Sequence, residues 1–156
     1  MKKWLSILLA AILMMTVGFA LTEDEPIDQP APNPDLFSGT WACDRAVISI
    51  NWEEEGYRIL IQWGSSAWEC TEWEYSCYFH EEENKLVSMP FGTRTEMVYG
   101  EDGDLVSATV VYDDGEATFY LDEEGFLIWA DEKENAGEGM RFELLPEIEE
   151  EDFSEG

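Results

Sequence analysis

The sequence predicts an all-β domain, built as an antiparallel meander of about nine strands. Three observations favour this fold class. Apolar and polar residues alternate with a period of two through most of the chain between residues 37 and 146, which places one face of each strand in a core and the other in water. Short acidic clusters that end in glycine separate these runs, and glycine supplies the positive φ that tight hairpins need. No window shows the apolar spacing of an amphipathic helix.

The predicted strands follow one another closely along the chain. They cover residues 40–51, 57–63, 67–79, 85–89, 93–99, 105–112, 116–121, 126–131 and 139–145. Because the connections are short, we expect neighbours in sequence to pair, and closure of such a meander removes its open edges. We therefore expect a closed up-and-down barrel, with a two-sheet sandwich as the alternative. The first strand changes phase between Cys43 and Ala46, which a β-bulge or burial on both faces would explain.

The start of the chain has the composition of a secretory signal peptide. Lys2 and Lys3 precede an uncharged apolar run from Trp4 to Ala20, and small residues at the end of such a run favour cleavage after Ala20. An uncleaved membrane anchor is the alternative. Both interpretations place the body of the protein outside the cytoplasm.

Two further segments differ in composition from the body. Residues 21–36 are acidic and contain four prolines, which prevent a helix or a central strand and favour an extended linker. Residues 147–156 are dense in carboxylates, whose mutual repulsion predicts a disordered tail. The folded β-barrel domain is therefore expected to span residues 37–146.

The charge of the chain limits its partners. The formal net charge is −28, from 36 acidic and 8 basic residues. Such a surface repels nucleic-acid phosphates and anionic membranes, so neither is expected as a partner, and no membrane span is expected after signal cleavage. The charge serves solubility outside the cell or attracts cationic partners and Ca²⁺.

The sequence contains no recognisable catalytic or metal site. His80 is the one histidine and lies in an acidic turn, without the supported setting that a catalytic triad needs. One histidine and three spaced cysteines do not supply the ligands of a zinc site, and no carboxylate pair is marked by an apolar setting. The acidic loops 101–104 and 113–116 contain oxygen ligands that Ca²⁺ prefers, but neither is an EF-hand loop. We expect no catalytic residue, no cofactor and no metal.

The three cysteines leave two pairings open. Cys70 and Cys77 lie on opposite faces of one predicted strand, too far apart to bond. A bridge between Cys43 and Cys77 is favoured if Trp41 and Trp73 point inward, since each cysteine shares the parity of one tryptophan. The alternative is three free thiols, of which the buried ones act as small core residues.

Trp68 and Tyr78 are the candidate ligand-binding residues. Both share the polar face of the predicted strand 67–79. An aromatic ring on a solvated face can stack on a sugar or anchor a partner. The alternative is a long, bent strand that is buried on both faces.

The segment Gly39-Thr40-Trp41 resembles the Gly-x-Trp signature of lipocalins and related calycin barrels. In that family the tryptophan closes one end of the barrel, and an arginine from the last strand packs across its ring. The resemblance implies these structural roles for Trp41 and Arg141. The body is also similar to small secreted domains of Firmicutes that have no assigned activity, in the stretches Trp63-Gly64-Ser65-Ser66-Ala67 and Glu72-Trp73-Glu74-Tyr75. This similarity implies a bacterial, extracytoplasmic protein.

Three functional hypotheses follow. The first is a secreted, lipocalin-like, non-enzymatic module that binds a small molecule, a glycan or a protein at the barrel mouth or on an aromatic patch. The second, which calycin barrels suggest, is an inhibitor of a secreted enzyme whose segment 21–36 enters a cleft. The third is a hydrolase with paired carboxylates. A lined cavity would favour the binding module. A filled barrel with a protruding segment would favour the inhibitor, and two carboxylates in one apolar cleft would favour the hydrolase.

Overall fold

The computed structural model describes residues 34–146. The predicted signal peptide, the predicted tail and most of the predicted linker lie outside the described residues. The described part contains single 3₁₀ turns at Pro34–Leu36 and Glu81–Glu83 and ten strands: β1 (Gly39–Cys43), β2 (Ala46–Glu53), β3 (Gly56–Gly64), β4 (Glu69–His80), β5 (Lys85–Ser88), β6 (Gly92–Tyr99), β7 (Leu105–Gly115), β8 (Ala117–Leu121), β9 (Leu127–Asp131) and β10 (Glu143–Leu144). Among these residues no helix has the length and apolar character needed to cross a membrane.

The strands form a nearly closed antiparallel barrel, as predicted. The path around the sheet is β10-β1-β2-β3-β4-β5-β8-β9. Leu127 of β9 bridges to Phe142, just before β10, through two backbone hydrogen bonds of 2.9 and 3.0 Å. These two bonds join the last strands of the path to the first.

At two places in the sheet, two short strands lie end to end where a single long strand would fit: β5 with β6, and β8 with β7. β5 and β6 run in the same direction along one edge of β4, where β5 pairs with its last residues and β6 with its first. Only residues 89–91 separate them. On their far side, β8 pairs with β5 and β7 pairs with β6, and Glu116 alone separates β7 from β8. β6 is paired with β4 on one edge and with β7 on the other, so β7 is the outermost strand here. We call β6 and β7 together the β6–β7 arm.

The phase change in the first predicted strand is a hairpin. The predicted strand 40–51 consists of β1 and β2, which reverse direction at Asp44 and Arg45 and pair Cys43 with Ala46. Asp44 adopts a left-handed conformation with φ of 50°, which aspartate tolerates better than most residues. The turn replaces the expected bulge and explains why there are ten strands rather than nine.

Hydrophobic side chains fill the interior of the barrel. They come from every part of the ring and form one cluster of buried residues: Phe37, Trp41, Ala46, Ile48, Ile50, Tyr57, Ile59, Ile61, Trp73, Tyr75, Cys77, Leu86, Ala117, Phe119, Leu127, Trp129 and Phe142. Complete burial of one large apolar side chain contributes roughly 1.5–3 kcal/mol. The interior is therefore a packed core that stabilises the closed sheet.

Tryptophans make a contact across this core. Trp73 of β4 and Trp129 of β9 lie edge to face, with ring centroids 5.1 Å apart, although their strands are not neighbours in the sheet. Trp63 lies 6.3 Å from Trp73. Edge-to-face pairs contribute about 0.5–1.5 kcal/mol beyond the area that they bury, so this cluster holds the two walls together.

The end of the predicted linker packs on the barrel. The carbonyl of Pro34 accepts hydrogen bonds from the Tyr57 hydroxyl at 3.0 Å and from the Phe37 amide at 3.2 Å. The Phe37 carbonyl in turn accepts from the Trp41 indole at 2.9 Å. The 3₁₀ turn at Pro34–Leu36 is therefore packed against the barrel.

Candidate functional site

Arg141 does not cover Trp41. Trp41 is buried in the core, whereas the Arg141 guanidinium lies 4.0 Å from the ring centroid of Phe126 and binds Asp122 at 2.8 Å and also Glu124. Because Phe142 points inward, alternation along the strand directs Arg141 outward. The lipocalin resemblance implied that Arg141 packs across the ring of Trp41. In the structure the two side chains are apart, with Trp41 in the core and Arg141 on the outer surface.

The predicted bridge between Cys43 and Cys77 is not formed, and all three cysteines are free thiols. The strand register explains why. Cys43 pairs with Ala46, Ala46 with Trp63, and Trp63 with Thr71. Cys77 lies six residues further along β4 than Thr71, about 20 Å at the usual rise per residue. A disulfide spans only about 4.4–6.8 Å between Cα atoms.

Trp68 and Tyr78 are both exposed, but they do not form one site. Their exposed fractions are 46% and 41%. Trp68 precedes β4, where its carbonyl accepts a hydrogen bond of 2.8 Å from the Tyr99 amide. Tyr78 lies near the other end of β4, on the order of 30 Å away along the strand. A single ligand of the size of a sugar cannot contact both rings.

The buried carboxylate of Asp131 has a structural role. It accepts hydrogen bonds of 3.0–3.2 Å from the amides of Lys133, Glu134 and Ala136, and so fixes the turn that follows β9. Within residues 34–146, no three His, Cys, Asp or Glu side chains are close enough together to hold a metal ion.

An open groove lies between the β2–β3 turn and the connection from β5 to β6. Its volume is about 690 Å³. Glu53, Glu54 and Glu55 line one side, and the exposed side chains of Met89 and Phe91 line the other. An acidic wall opposite an apolar one suits the side chain of a lysine or arginine, whose stem is apolar and whose head is cationic.

The β6–β7 arm is the most exposed part of the sheet. All residues from Leu105 to Val111 of β7 are exposed, and the run from Leu105 to Tyr112 contains no charged residue. Within the described residues β7 pairs with β6 alone, so its other edge presents unpaired N–H and C=O groups to solvent.

One face of the arm is apolar. Cross-strand partners share a face of a sheet, and here Met97 pairs with Ala108, and Tyr99 with Leu105. The Tyr99 hydroxyl lies 3.5 Å from the sulfur of Met97, which confirms that these two side chains are on the same side. Because Met97 also pairs with Cys70 of β4, this apolar face continues the outer surface of the barrel.

The root of the arm is held firmly on the barrel. The Trp73 indole donates a hydrogen bond of 3.1 Å to the Tyr112 hydroxyl. Lys133 lies 5.4 Å from the Tyr112 ring centroid and binds Asp114. The Arg94 guanidinium lies 5.7 Å from the Trp73 ring. The exposed part of β7 therefore continues from a fixed base.

Sequence reasoning assigned residues 105–112 to a strand but did not identify them as a functional surface. The uncharged run from residue 105 to residue 112 is not a sufficient signal, because residues 59–68 and 86–93 are uncharged as well. Alternation could not reveal that β7 is an edge strand, because edge position depends on which strands pair. Comparison of the chain with protein-family models, with curated proteins and with solved structures gives no significant match.

Proposed function

We propose that the protein is an exported, non-enzymatic interaction module that binds another protein on the outside of its barrel, at the β6–β7 arm. The observation that carries this proposal is the contrast between a packed interior and an edge strand whose residues Leu105–Val111 are all exposed and uncharged. Large exposed apolar surfaces on monomeric domains mark sites of interaction. The signal-like segment before residue 21 supports export.

The packed interior argues against a small molecule in the barrel mouth. A ligand cavity typically has a volume of about 300–1,000 Å³ and encloses most of its ligand. Here Trp129, Phe119 and Phe142 occupy the inside of the sheet and are completely buried. The groove beside Glu53 lies open at the surface, so it does not enclose a small apolar ligand.

Hydrolysis by paired carboxylates has little support. Asp131 is the buried carboxylate of the described region, and three amides already occupy its oxygen atoms. A general acid needs an apolar setting in which its proton is retained. The hydrogen bonds of Asp131 instead give it a structural role in the turn after β9.

The filled barrel is compatible with the inhibitor hypothesis, which is a special case of this proposal. In that case the partner is a secreted enzyme, and the inserted element is the β6–β7 arm rather than the predicted linker. Val110, at the exposed part of the arm, is 62% exposed, and the base of the arm is held by Trp73 and Tyr112. A rigid base lowers the entropic cost of binding.

Site-specific photo-crosslinking tests the proposal. A benzophenone amino acid replaces Val110 in one variant and Trp52, which is 61% exposed but lies on β2, in a control variant. Irradiation in the extracytoplasmic fraction of the source organism is expected to give a protein adduct from position 110 that is absent from position 52. If that adduct is a secreted enzyme whose activity falls on binding, the inhibitor case is supported.

A neutral apolar dye tests the alternative of an interior ligand site. Nile red is expected not to quench the fluorescence of the buried tryptophans, because the core leaves no room for it. Stoichiometric dye binding with such quenching, together with no protein adduct at position 110, would contradict the proposal.

A further inference from the structure

We propose that the free edge of β7 binds an extended peptide segment of a basic partner by strand addition. Cationic residues at the two ends of that segment would lie against acidic residues on either side of the uncharged stretch of β7. These are the turn at residues 101–104 and the strand residues Asp113 and Asp114, where the sequence predicted a loop but the structure continues β7. This inference rests on the proposed function and names the chemistry of the partner.

The backbone of β7 is suited to strand addition over a short length. Every second residue of an edge strand directs its N–H and C=O away from its one neighbour. Ser107–Val110 pair regularly with Thr95–Val98 of β6, and register shifts interrupt the ladder on both sides of this stretch. Bulges limit how far an added strand can extend, so the edge accepts a short segment rather than a second sheet.

The side chains of β7 do not protect this edge. Exposed edges usually carry lysines, prolines or inward-pointing charges that prevent pairing with another chain. The run Leu105–Tyr112 contains none of these residues. The exposed edge is thus open to a partner strand.

Acidic residues flank this uncharged run on both sides. Glu101, Asp102 and Asp104 precede β7. Asp113 and Asp114 follow the uncharged run within β7, and Glu116 comes directly after the strand. Among the ion pairs of the described residues, only Asp114 of these six has a basic partner, Lys133. Both ends of the edge therefore carry uncompensated negative charge that basic residues would neutralise.

This charge pattern disfavours a second copy of the chain as the occupant. In antiparallel pairing the turn 101–104 of one copy would face residues 113–116 of the other, and in parallel pairing each cluster would face itself. Like charges directly opposite each other destabilise strand pairs. Residues 21–33 and 147–156 are acidic as well, so the same repulsion disfavours these segments of the chain.

The apolar face of the arm specifies the middle of the bound segment. Met97, Tyr99 and Leu105 lie on the outer face beside the edge. Side chains of an added strand alternate between the two faces. The occupant should therefore carry β-branched or apolar residues at alternate positions, between basic ends.

A set of labelled peptides tests this inference by fluorescence anisotropy on the intact protein. The probe is Lys-Lys-Val-Thr-Val-Thr-Val-Lys-Lys. A peptide of equal charge with Gly and Ser in the middle controls for simple electrostatic attraction. Two further versions are N-methylated, one at the valines and one at the threonines, because only one of these sets can face β7.

We expect the probe to bind and the Gly-Ser peptide to bind at least about tenfold more weakly. One N-methylated version should lose binding at least about tenfold while the other retains it, since loss of several backbone hydrogen bonds has an effect of this size. Absence of probe binding, or equal binding of both N-methylated versions, would overturn strand addition.

Two variants with the same change of charge locate the site. Val110→Lys should weaken probe binding about tenfold or more, because it places a cation on the edge. Phe91→Lys, at a residue that is 59% exposed in the groove, should leave it nearly unchanged. Equal weakening by both variants would show general electrostatic attraction and overturn the assignment.

Sedimentation of the protein at low and high salt examines the second-copy alternative. A dimer that Val110→Lys dissociates would assign the edge to a second copy and overturn the inference.

The crosslinking experiment separates this inference from the proposed function. A protein adduct at position 110 without probe binding overturns strand addition by a basic segment and leaves the proposed function standing.

Discussion

The indole N–H of Trp73 donates a hydrogen bond of 3.1 Å to the hydroxyl of Tyr112. Trp73 lies in the core on β4, and Tyr112 lies 39 residues later, on β7 where the arm leaves the barrel. This bond therefore joins the packed interior to the root of the surface that we propose to be functional.

Removal of the Tyr112 hydroxyl is expected to loosen the arm. Tyr112→Phe should lower the free energy of unfolding by about 1 kcal/mol, because the Trp73 indole then loses its partner in a half-buried site. Urea unfolding gives the total effect, and hydrogen exchange of the β6 amides shows whether the arm opens first. Tyr120→Phe, at an exposed residue of β8, is the matched control. An equal loss in both variants would contradict the assigned role.

Removal of the Asp131 carboxylate is expected to destabilise the whole domain. Asp131→Ala leaves three amides without their acceptor, and hydrogen bonds to a charged group contribute about 1.5–3 kcal/mol each. We expect a loss of about 3 kcal/mol or more in urea unfolding, and a smaller loss for Asp131→Asn, which keeps one oxygen acceptor. The neighbouring exposed Glu132→Ala should change stability little. A near-neutral Asp131→Ala would show that the turn forms without the carboxylate.

Cys77 is expected to be protected from thiol reagents. Burial raises the pKa of its thiol from an ordinary 9.0 to about 12, and the thiolate is the reactive form. At pH 8, Cys43, which is only partly buried, should react first with a disulfide reagent. Cys77 should react at the rate of unfolding. Single-cysteine variants resolve the order, and fast modification of Cys77 in the native protein would contradict its position in the core.

The same pKa shift predicts a loss of stability at alkaline pH. Below pH 9 the thiol is protonated in both states. Between pH 9 and about 12 it ionises in the unfolded chain but not in the folded one. The free energy of unfolding should therefore fall as pH rises through this window, by up to about 1.4 kcal/mol per pH unit. In Cys77→Ala, the free energy of unfolding measured in urea should fall less steeply with pH. It should still fall, because burial also raises the pKa of Tyr75. An unchanged slope would be the opposing result.

Salt is expected to stabilise the fold. The chain has a net charge of −28, and repulsion between its carboxylates opposes the compact state. The melting temperature should rise as sodium chloride screens this repulsion over a Debye length of about 10 Å at 0.1 M. A melting temperature that is constant from low to high salt would count against this effect.

The period-two alternation was sufficient to predict the fold class and most of the strands. The inward residues Tyr57, Ile59 and Ile61 of β3 are all buried, because a filled barrel requires the same alternation that the sequence shows. The hairpin at Asp44 was missed, since a two-residue turn without glycine resembles a continuous strand with a change of phase. The pairing of β5 with β8 follows from the length of β4, whose one edge accommodates two strands end to end.

The candidate site was less predictable, because it depends on pairing rather than on composition. Trp68 and Tyr78 share the parity that the sequence indicates, but they are ten positions apart, one just before β4 and the other near its end. The side chain of Arg141 points outward because that of the next residue, Phe142, points into the core. On the outer surface it binds Asp122, in the turn between β8 and β9. The open edge of β7 arises because β9 ends at Asp131, which no local pattern reveals.

The contact between Trp73 and Trp129 gives the molecule an optical property. Two indoles at 5.1 Å and an interplanar angle of 70° are close enough for their electronic transitions to couple, and such coupling gives paired circular-dichroism bands of opposite sign. One ring belongs to β4 and the other to β9, so the coupling exists only while these two walls of the barrel face each other. The native chain therefore reports the closure of its own barrel in its ultraviolet spectrum, without an added label.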